Sequence, residues 1–387
     1  MYEFSIPMPY TIEDINRLMA INKEIEKSQI TSLYFSLPSS CELFTGFEQY
    51  RNGRQNKDWN YWKKLIEHSL SYGVDFIYLL NSPNRLPVEN PDFEKRLEKL
   101  DKLLEELRKL GVNKLRIAEH KLLSYISDKY RDFDIYASTS FEMKSLPEYQ
   151  NFMFMHPKVK QIVPSHDSIK NFMLLKNIKK LLPNVEIELM VNEGCINGCP
   201  NRDGHAGEFI DGSVEIKNKI ISGAFFTNHF CHKLEEKNIF KALVKSNIIY
   251  PWEIEEYYKI GINKFKFVGR DVYSNNFNHH LEHFNLYLKG IDNIKHIENV
   301  DITMLIHHLS GKYKLNTLKV KEVKKLLPNI NHFIKRGNLC ATECGISCNY
   351  CYMCAERIEK FYNKIQVKQE QNAIQPVCIS NSIKVAR

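Results

Sequence analysis

Short apolar runs alternate with amphipathic stretches along most of this chain. The runs are Ser32–Leu37, Asp75–Leu80, Lys114–Ala118, Asp134–Ala137, Gln161–Val163, Val185–Val191, Ile248–Tyr250 and Phe265–Val268. Most are rich in Ile, Val, Phe, Leu or Tyr, the composition of strands buried on both faces of a parallel sheet. Between them, Asp58–Ser71, Asp92–Leu110 and Ser168–Leu182 show helical periodicity, and Pro183-Asn184 stops the last of these. Gly73 and Gly111 each stand between a helix and a strand, where a helix-capping glycine belongs. Strands and helices in one alternating series predict an α/β fold, a closed (β/α)8 TIM-like barrel. An open doubly wound sheet is the alternative, but its dinucleotide-type glycine fingerprint is missing from the first strand–helix turn.

The alternation ends near Gly290, which divides the chain into a barrel, 1–290, and a cysteine-rich C-terminal appendage, 291–387. The appendage is expected to hold a strand at Asp301–His307, a helix near Lys319–Leu327 and a polar tail whose last fifteen residues are poorly ordered. In a barrel, chemistry collects on the loops that follow the C-terminal ends of the strands. Three of those loops are longer than a connection needs: Pro38 to about Lys57, Asn81–Pro91 and Asn192–His232.

A length of 387 residues suits one barrel of about 250 residues plus an appendage. No run of about 20 apolar residues exists, and Met1–Tyr10 lacks the basic, apolar, small-residue order of a secretion signal. A cytoplasmic protein without a membrane partner is therefore expected. The net charge of +8 comes largely from lysines on helices, such as Lys95, Lys99, Lys102 and Lys109 interleaved with Glu94, Glu98, Glu105 and Glu106. That pattern is a solvated helix face rather than a clear nucleic-acid patch; it permits an RNA partner without arguing for one.

The ten cysteines change the picture. In a reducing compartment, clustered thiols point to metal rather than to disulfides. Cys344-x3-Cys348-x2-Cys351-x2-Cys354, with Cys340 upstream, has the close consecutive spacing of iron–sulfur ligands; a structural zinc site is the alternative. The first three of these also match radical-SAM spacing, with Tyr350 before the last, but they stand after the barrel instead of behind its first strand. A second group, Cys195, Cys199 and Cys231, lies in the long loop after Val185–Val191, and Cys41 is a possible fourth partner. With the terminal five, this makes eight thiols, enough for two four-iron clusters. The same loop offers Arg202, Asp203, His205 and Glu208, a guanidinium, two acids and a base able to position a substrate. His279-His280 and His307-His308 read as surface or core histidines.

The middle of the chain resembles the peptidase U32 (collagenase-like) family. The segments that carry the likeness are Ile135-Tyr136-Ala137-Ser138-Thr139, then Gln161-Ile162-Val163-Pro164-Ser165 with the helix and strand after it. Cys195 follows that strand, and Lys266-Phe267-Val268-Gly269-Arg270 precedes a helix containing Tyr287. The resemblance spans roughly residues 110–290. It implies a barrel holding a [4Fe–4S] cluster, and an oxygen-independent hydroxylase acting on RNA or a small quinone-like molecule. The chain departs from the family pattern at Val268, where the family has glutamate, in the close pairing of Cys195 with Cys199, and in the terminal five cysteines.

The expectation is an iron–sulfur oxidoreductase or modifying enzyme acting on RNA or a small molecule, with one or two [4Fe–4S] clusters and a redox partner. Its catalytic candidates are Arg202, His205 and Glu208; Lys266 and Arg270 would hold an anionic group of substrate or cosubstrate. The metal ligands would be Cys195, Cys199, Cys231, Cys340, Cys344, Cys348, Cys351 and Cys354. The alternatives are a metal-stapled binding or scaffold protein, a radical-SAM-like enzyme and a U32-type peptidase. For the last, neither a Ser–His–Asp arrangement nor HExxH is present.

Overall fold

In this computed structural model the described residues are 1–38, 41–46, 57–81, 93–199, 238–269, 277–306, 315–337 and 346–374, with two further short strands described in backbone alone. Eight parallel strands close into a barrel. They are β1 (Tyr2–Pro7), β2 (Ser28–Phe35), β3 (Asp75–Leu80), β4 (Lys114–Ile117), β5 (Asp134–Ala137), β6 (Val159–Ile162) and β7 (Glu186–Met190), then β10 (Lys264–Lys266). Strands β8 (Ser213–Ile216) and β9 (Lys219–Ser222) pair as a separate antiparallel hairpin inside the long loop after β7. The ring runs β1-β10-β7-β6-β5-β4-β3-β2, so β10 closes the barrel against β1, with Phe265 opposite Phe4.

The (β/α)8 expectation is met, with one exchange among its strands. Tyr2–Pro7 is a barrel strand that the apolar-run criterion missed, because Glu3 and Ser5 alternate with Phe4 and Ile6. Ile248–Tyr250, read as a strand, is buried but pairs in no ladder of the barrel; its Ile249 N–H donates to Val191 O instead. In the appendage, the strand expected at Asp301–His307 is a 3-10 turn, Ile302–Leu305, preceded by a single bridge from Asp301 to Lys319.

The helices α1 (Ile12–Glu24), α2 (Trp59–Leu70), α3 (Phe93–Lys109), α4 (His120–Lys129), α5 (Leu146–Met155) and α6 (Phe172–Leu181) connect successive barrel strands. Local chemistry sets their ends. Thr11, Asp58, Glu119 and Asn171 cap helix N-termini by accepting backbone N–H groups. Gly111, at φ +81°, ends α3; the N–H of Val112 then reaches back to Leu107 O, an arrangement that needs a left-handed residue.

Period-two alternation separates two environments. Phe4, Leu33, Phe76, Leu115, Ile187 and Phe265 face the helices in one continuous core. The opposite faces of the strands form the lumen, where Tyr34, Ile77, Leu79 and Tyr136 make a separate apolar cluster. The rest of the lumen is polar. Arg116 Nη2 lies 2.6 Å from Glu188 Oε2 and donates to Gln161 Oε1 at 2.6 Å, and Ser5 donates to Glu188 Oε1. Both members of the Arg116–Glu188 pair are fully buried. At the N-terminal rim, Glu3–Lys264–Glu186, Lys160–Asp134 and Lys114–Asp75 form ion pairs between neighbouring strands.

After β7 come α7 (Ile239–Lys245) and α8 (Ile254–Tyr258), and after β10 comes α9 (Phe277–Asp292). Asp292, which ends α9, accepts the backbone N–H groups of Glu26 and Lys27 just before β2. The appendage adds α10 (Val320–Val323), α11 (Ile330–Arg336) and the 25-residue α12 (Tyr350–Ile374), which sequence periodicity did not reveal. Helix α12 rests on α7 through Phe240–Tyr362 and a Lys245–Tyr352 hydrogen bond of 2.9 Å. No helix among the described residues is long and apolar enough to cross a membrane.

Candidate active site at the C-terminal mouth

The loops that leave β5, β6 and β7 bring three charged side chains together. Glu142 follows β5, His166 follows β6 and Glu193 follows β7. His166 Nδ1 lies 3.0 Å from Glu142 Oε1, and its Nε2 lies 3.7 Å from Glu193 Oε2. Burial pulls the imidazole pKa down, but hydrogen bonds and charge from the two carboxylates outweigh it and hold the group up to about 9. His166 is therefore an imidazolium at neutral pH. Glu142 Oε2 is buried and has no hydrogen-bond partner among the described residues.

Glu193 also ties this cluster to the cysteine loop, since its Oε1 accepts the N–H of Cys195 at 3.0 Å. The loop is held from other directions too. Cys195 O accepts from the backbone and side chain of Asn247, and Asn197 N–H donates to Lys245 O. Gly198, at φ +68°, donates its N–H to Asp167 Oδ1 at 2.7 Å. Cys195 and Cys199 are both half-buried.

Beside this loop, the exits of β7 and β10 are locked together. Asn192 is fully buried; its Oδ1 accepts the Val268 N–H at 2.7 Å and its Nδ2 donates to Val268 O at 3.1 Å. Its amide also lies 3.4 Å from His283 Nε2, while His283 Nδ1 is 2.6 Å from Met304 O. Lys266, expected to hold an anion, is buried with its ammonium 4.3 Å from the centre of the Tyr34 ring, and Tyr34 donates to Phe267 O.

The remaining sequence candidates fall into two sets. Arg202, Asp203, His205, Glu208, Cys231, Arg270, Cys340 and Cys344 lie outside the described residues. Cys348 stands two residues before α12, Cys351 and Cys354 stand in its first turns with Cys354 buried, and Cys41 is buried in the turn after β2. Among the described residues, no three His, Cys, Asp or Glu side chains converge as a metal site. Cys195 and Cys199 stand on one loop, and Cys348 Sγ lies 3.8 Å from His332 Nε2. No complete four-ligand set stands among the described residues.

The Glu142–His166–Glu193 cluster escaped sequence reasoning. Its members lie in loops that carry no motif, and only Glu193, beside Cys195, had a local signal. A cavity of about 20 Å³ sits at the opposite, N-terminal end of the lumen, among Glu3, Ser5, Asp75, Lys114, Glu188 and Lys264. It has room for a water rather than a substrate.

No family model matches the chain, and no curated protein matches it. Among solved structures, the U32 peptidase Mk0906 is similar at 12% identity and a TM-score of 0.45, over 70% of this chain and 93% of that one. An N-acetylneuraminate lyase from Fusobacterium nucleatum is similar at 12% identity and a TM-score of 0.35, over 93% and 98% of the two chains. CdNal from Clostridium difficile, in complex with mannosamine, is similar at 11% identity and a TM-score of 0.36, over 94% and 99%.

Proposed function

We propose that this chain is a barrel enzyme, an iron–sulfur-dependent and oxygen-independent modifying enzyme of RNA or of a small molecule, working at the C-terminal mouth. The observation that carries the reading is Glu193, which touches the His166 imidazolium with one oxygen and the Cys195 N–H with the other. An acid–base group and a thiol loop thus share one carboxylate at the end of the barrel where chemistry collects.

His166 would hold a proton at neutral pH and offer it, or its charge, to an anionic substrate group. Glu142 would orient the ring through Oε1. Cys195 and Cys199, with Cys231, would hold an iron–sulfur cluster, and the terminal thiols would hold a second metal centre. Such a cluster supplies, when bound, one-electron transfer or an open iron that acts as a Lewis acid. Arg202, His205, Glu208, Lys266 and Arg270 remain candidates for binding substrate, and a redox partner is implied.

The test is anaerobic purification followed by iron and acid-labile sulfide quantitation and visible absorbance. The wild type should carry both elements, and a C195A/C199A/C231A variant should lose those of the mouth. Zinc alone in the wild type, or iron unchanged in the variant, overturns the reading.

A scaffold role, in which metal only staples the appendage, draws on the Cys348–His332 pair. It predicts that C195A/C199A/C231A keeps its full metal content.

A further inference from the structure

The excess positive charge of this chain is unevenly placed. Residues 1–290 carry 39 Lys and Arg against 38 Asp and Glu, whereas residues 291–387 carry 15 against 8. The appendage thus holds +7 of the net +8. Three segments of the chain have no acid at all: 168–185 with α6, 238–252 with α7, and 323–337 with α11. Together they carry nine Lys and one Arg.

The fold brings these segments together. Lys170, at the exit of β6, donates to Ser246 O behind α7 at 2.7 Å and stands 5.3 Å from the Phe333 ring of α11. Gly337 closes α11 against Met173 of α6, and Lys324 lies 5.5 Å from the Trp252 ring. Lys176, Lys180, Lys241 and Lys335 are exposed, with Lys176 and Lys180 one turn apart on one side of α6. The acids that bracket the segments are engaged elsewhere. Glu253 is buried and accepts the Tyr250 N–H, Glu322 accepts the Lys319 N–H, Asp167 accepts the Gly198 N–H, and Glu186 pairs with Lys264. The result differs from α3, whose lysines alternate with glutamates.

We propose that this face, formed by α6, α7 and α11 beside the mouth, binds the phosphodiester backbone of a nucleic acid. Lysine neutralises phosphate as a point charge, whereas base edges are read best by the planar fork of arginine. With nine lysines to one arginine, the face grips backbone without reading sequence. Protein interfaces are depleted of lysine, and a membrane surface asks for an apolar face beside the cations. Among the described residues, Met173 is the one exposed large apolar side chain of these segments. The face also leads to the mouth: Lys170 stands four residues after His166, and Lys245 O accepts the Asn197 N–H of the cysteine loop. For its purpose this rests on the RNA arm of the functional reading; the grip itself needs neither a cluster nor chemistry at the mouth.

The experiment uses the full chain and fluorescence anisotropy with short labelled single strands, RNA and DNA of one sequence and of its scramble. All should bind, and affinity should fall with salt at a log–log slope of roughly −3, that of about four phosphates. K176Q/K180Q/K335Q should weaken binding by about tenfold or more and flatten the slope by about 2. K176R/K180R/K335R should restore it. K95Q/K99Q/K102Q, on the mixed face of α3, should stay within about twofold of the wild type, which separates loss of this face from loss of charge in general.

Binding by the glutamine variant equal to that of the α3 control overturns the face. Polyglutamate or anionic vesicles held as tightly as RNA, and lost in the same variant, overturn the nucleic-acid assignment. Iron is measured on the same preparations: iron absent from the wild type with this binding present sinks the cluster alone.

Discussion

His166 Nδ1 lies 3.0 Å from Oε1 of Glu142, and Glu142 holds that place with a backbone φ of 46°. It is the one non-glycine residue among those described with positive φ. A left-handed conformation costs an ordinary residue on the order of 1 kcal/mol, and it persists where the surroundings over-determine it. Here the return is a carboxylate aimed at an imidazole from the neighbouring loop. Glu142→Gln keeps the shape and removes the charge. The His166 pKa should then fall from about 9 toward its ordinary 6.5, read by NMR titration of the ring protons. An unchanged value would assign the upward shift to Glu193 alone.

Two groups, the half-buried His166 and the buried Glu253, make stability fall as pH rises, in different windows. Hydrogen bonds to two carboxylates raise His166 to about 9, so its contribution is fully present below 6.5 and is lost as pH climbs through about 9. Burial raises the Glu253 carboxyl from 4.5 to about 7, so its neutral form favours folding below 4.5 and that advantage is lost between 4.5 and about 7. Glu253→Gln should therefore be more stable than the wild type at neutral pH and lose this advantage in acid. Denaturation midpoints measured across the range check both windows.

The Arg116–Glu188 pair is buried within the barrel lumen. Its two charges offset each other, so removing one leaves the other buried and unbalanced. Arg116→Met is expected to cost about 3–5 kcal/mol in equilibrium denaturation. Arg116→Met combined with Glu188→Leu should recover most of that loss, because an apolar pair of similar volume replaces the ion pair. A double variant as unstable as the single one would show that Ser5 and Gln161, left behind in the lumen, dominate the penalty.

Asn192 joins the exits of β7 and β10 by pairing with both the N–H and the C=O of Val268. Asn192→Ala leaves these two backbone groups without their partner and should cost about 2–4 kcal/mol. Hydrogen exchange should accelerate at Val268 first, ahead of the N-terminal rim. Asn192→Asp keeps the acceptor and loses the donor, so it should protect Val268 N–H better than alanine does.

Much of the barrel was legible in the chain. Phe76, Tyr78 and Leu80 alternate with lumen residues, and Gly73 and Gly111 mark where helices give way to strands. These are short-range properties: side-chain direction in a strand and left-handed φ at a helix end depend on neighbouring residues alone. The same logic misjudged Tyr2–Pro7. Its inward side chains, Glu3 and Ser5, are polar because this lumen is polar, and no local rule says which face a polar residue will meet.

The cysteine groups were equally plain from their spacing, since thiols a few residues apart share a turn of backbone whatever surrounds them. Their neighbours were not. Glu142 and His166 are separated by 24 residues and His332 and Cys348 by 16, and in neither case does a periodicity join them. Closure of the barrel sets Glu142, His166 and Glu193 side by side, and the packing of α12 on α7 and of α11 beside it turns an unremarked histidine toward a thiol. Contacts of that kind arise from the path of the whole backbone through space, which pairwise spacing along a chain does not encode.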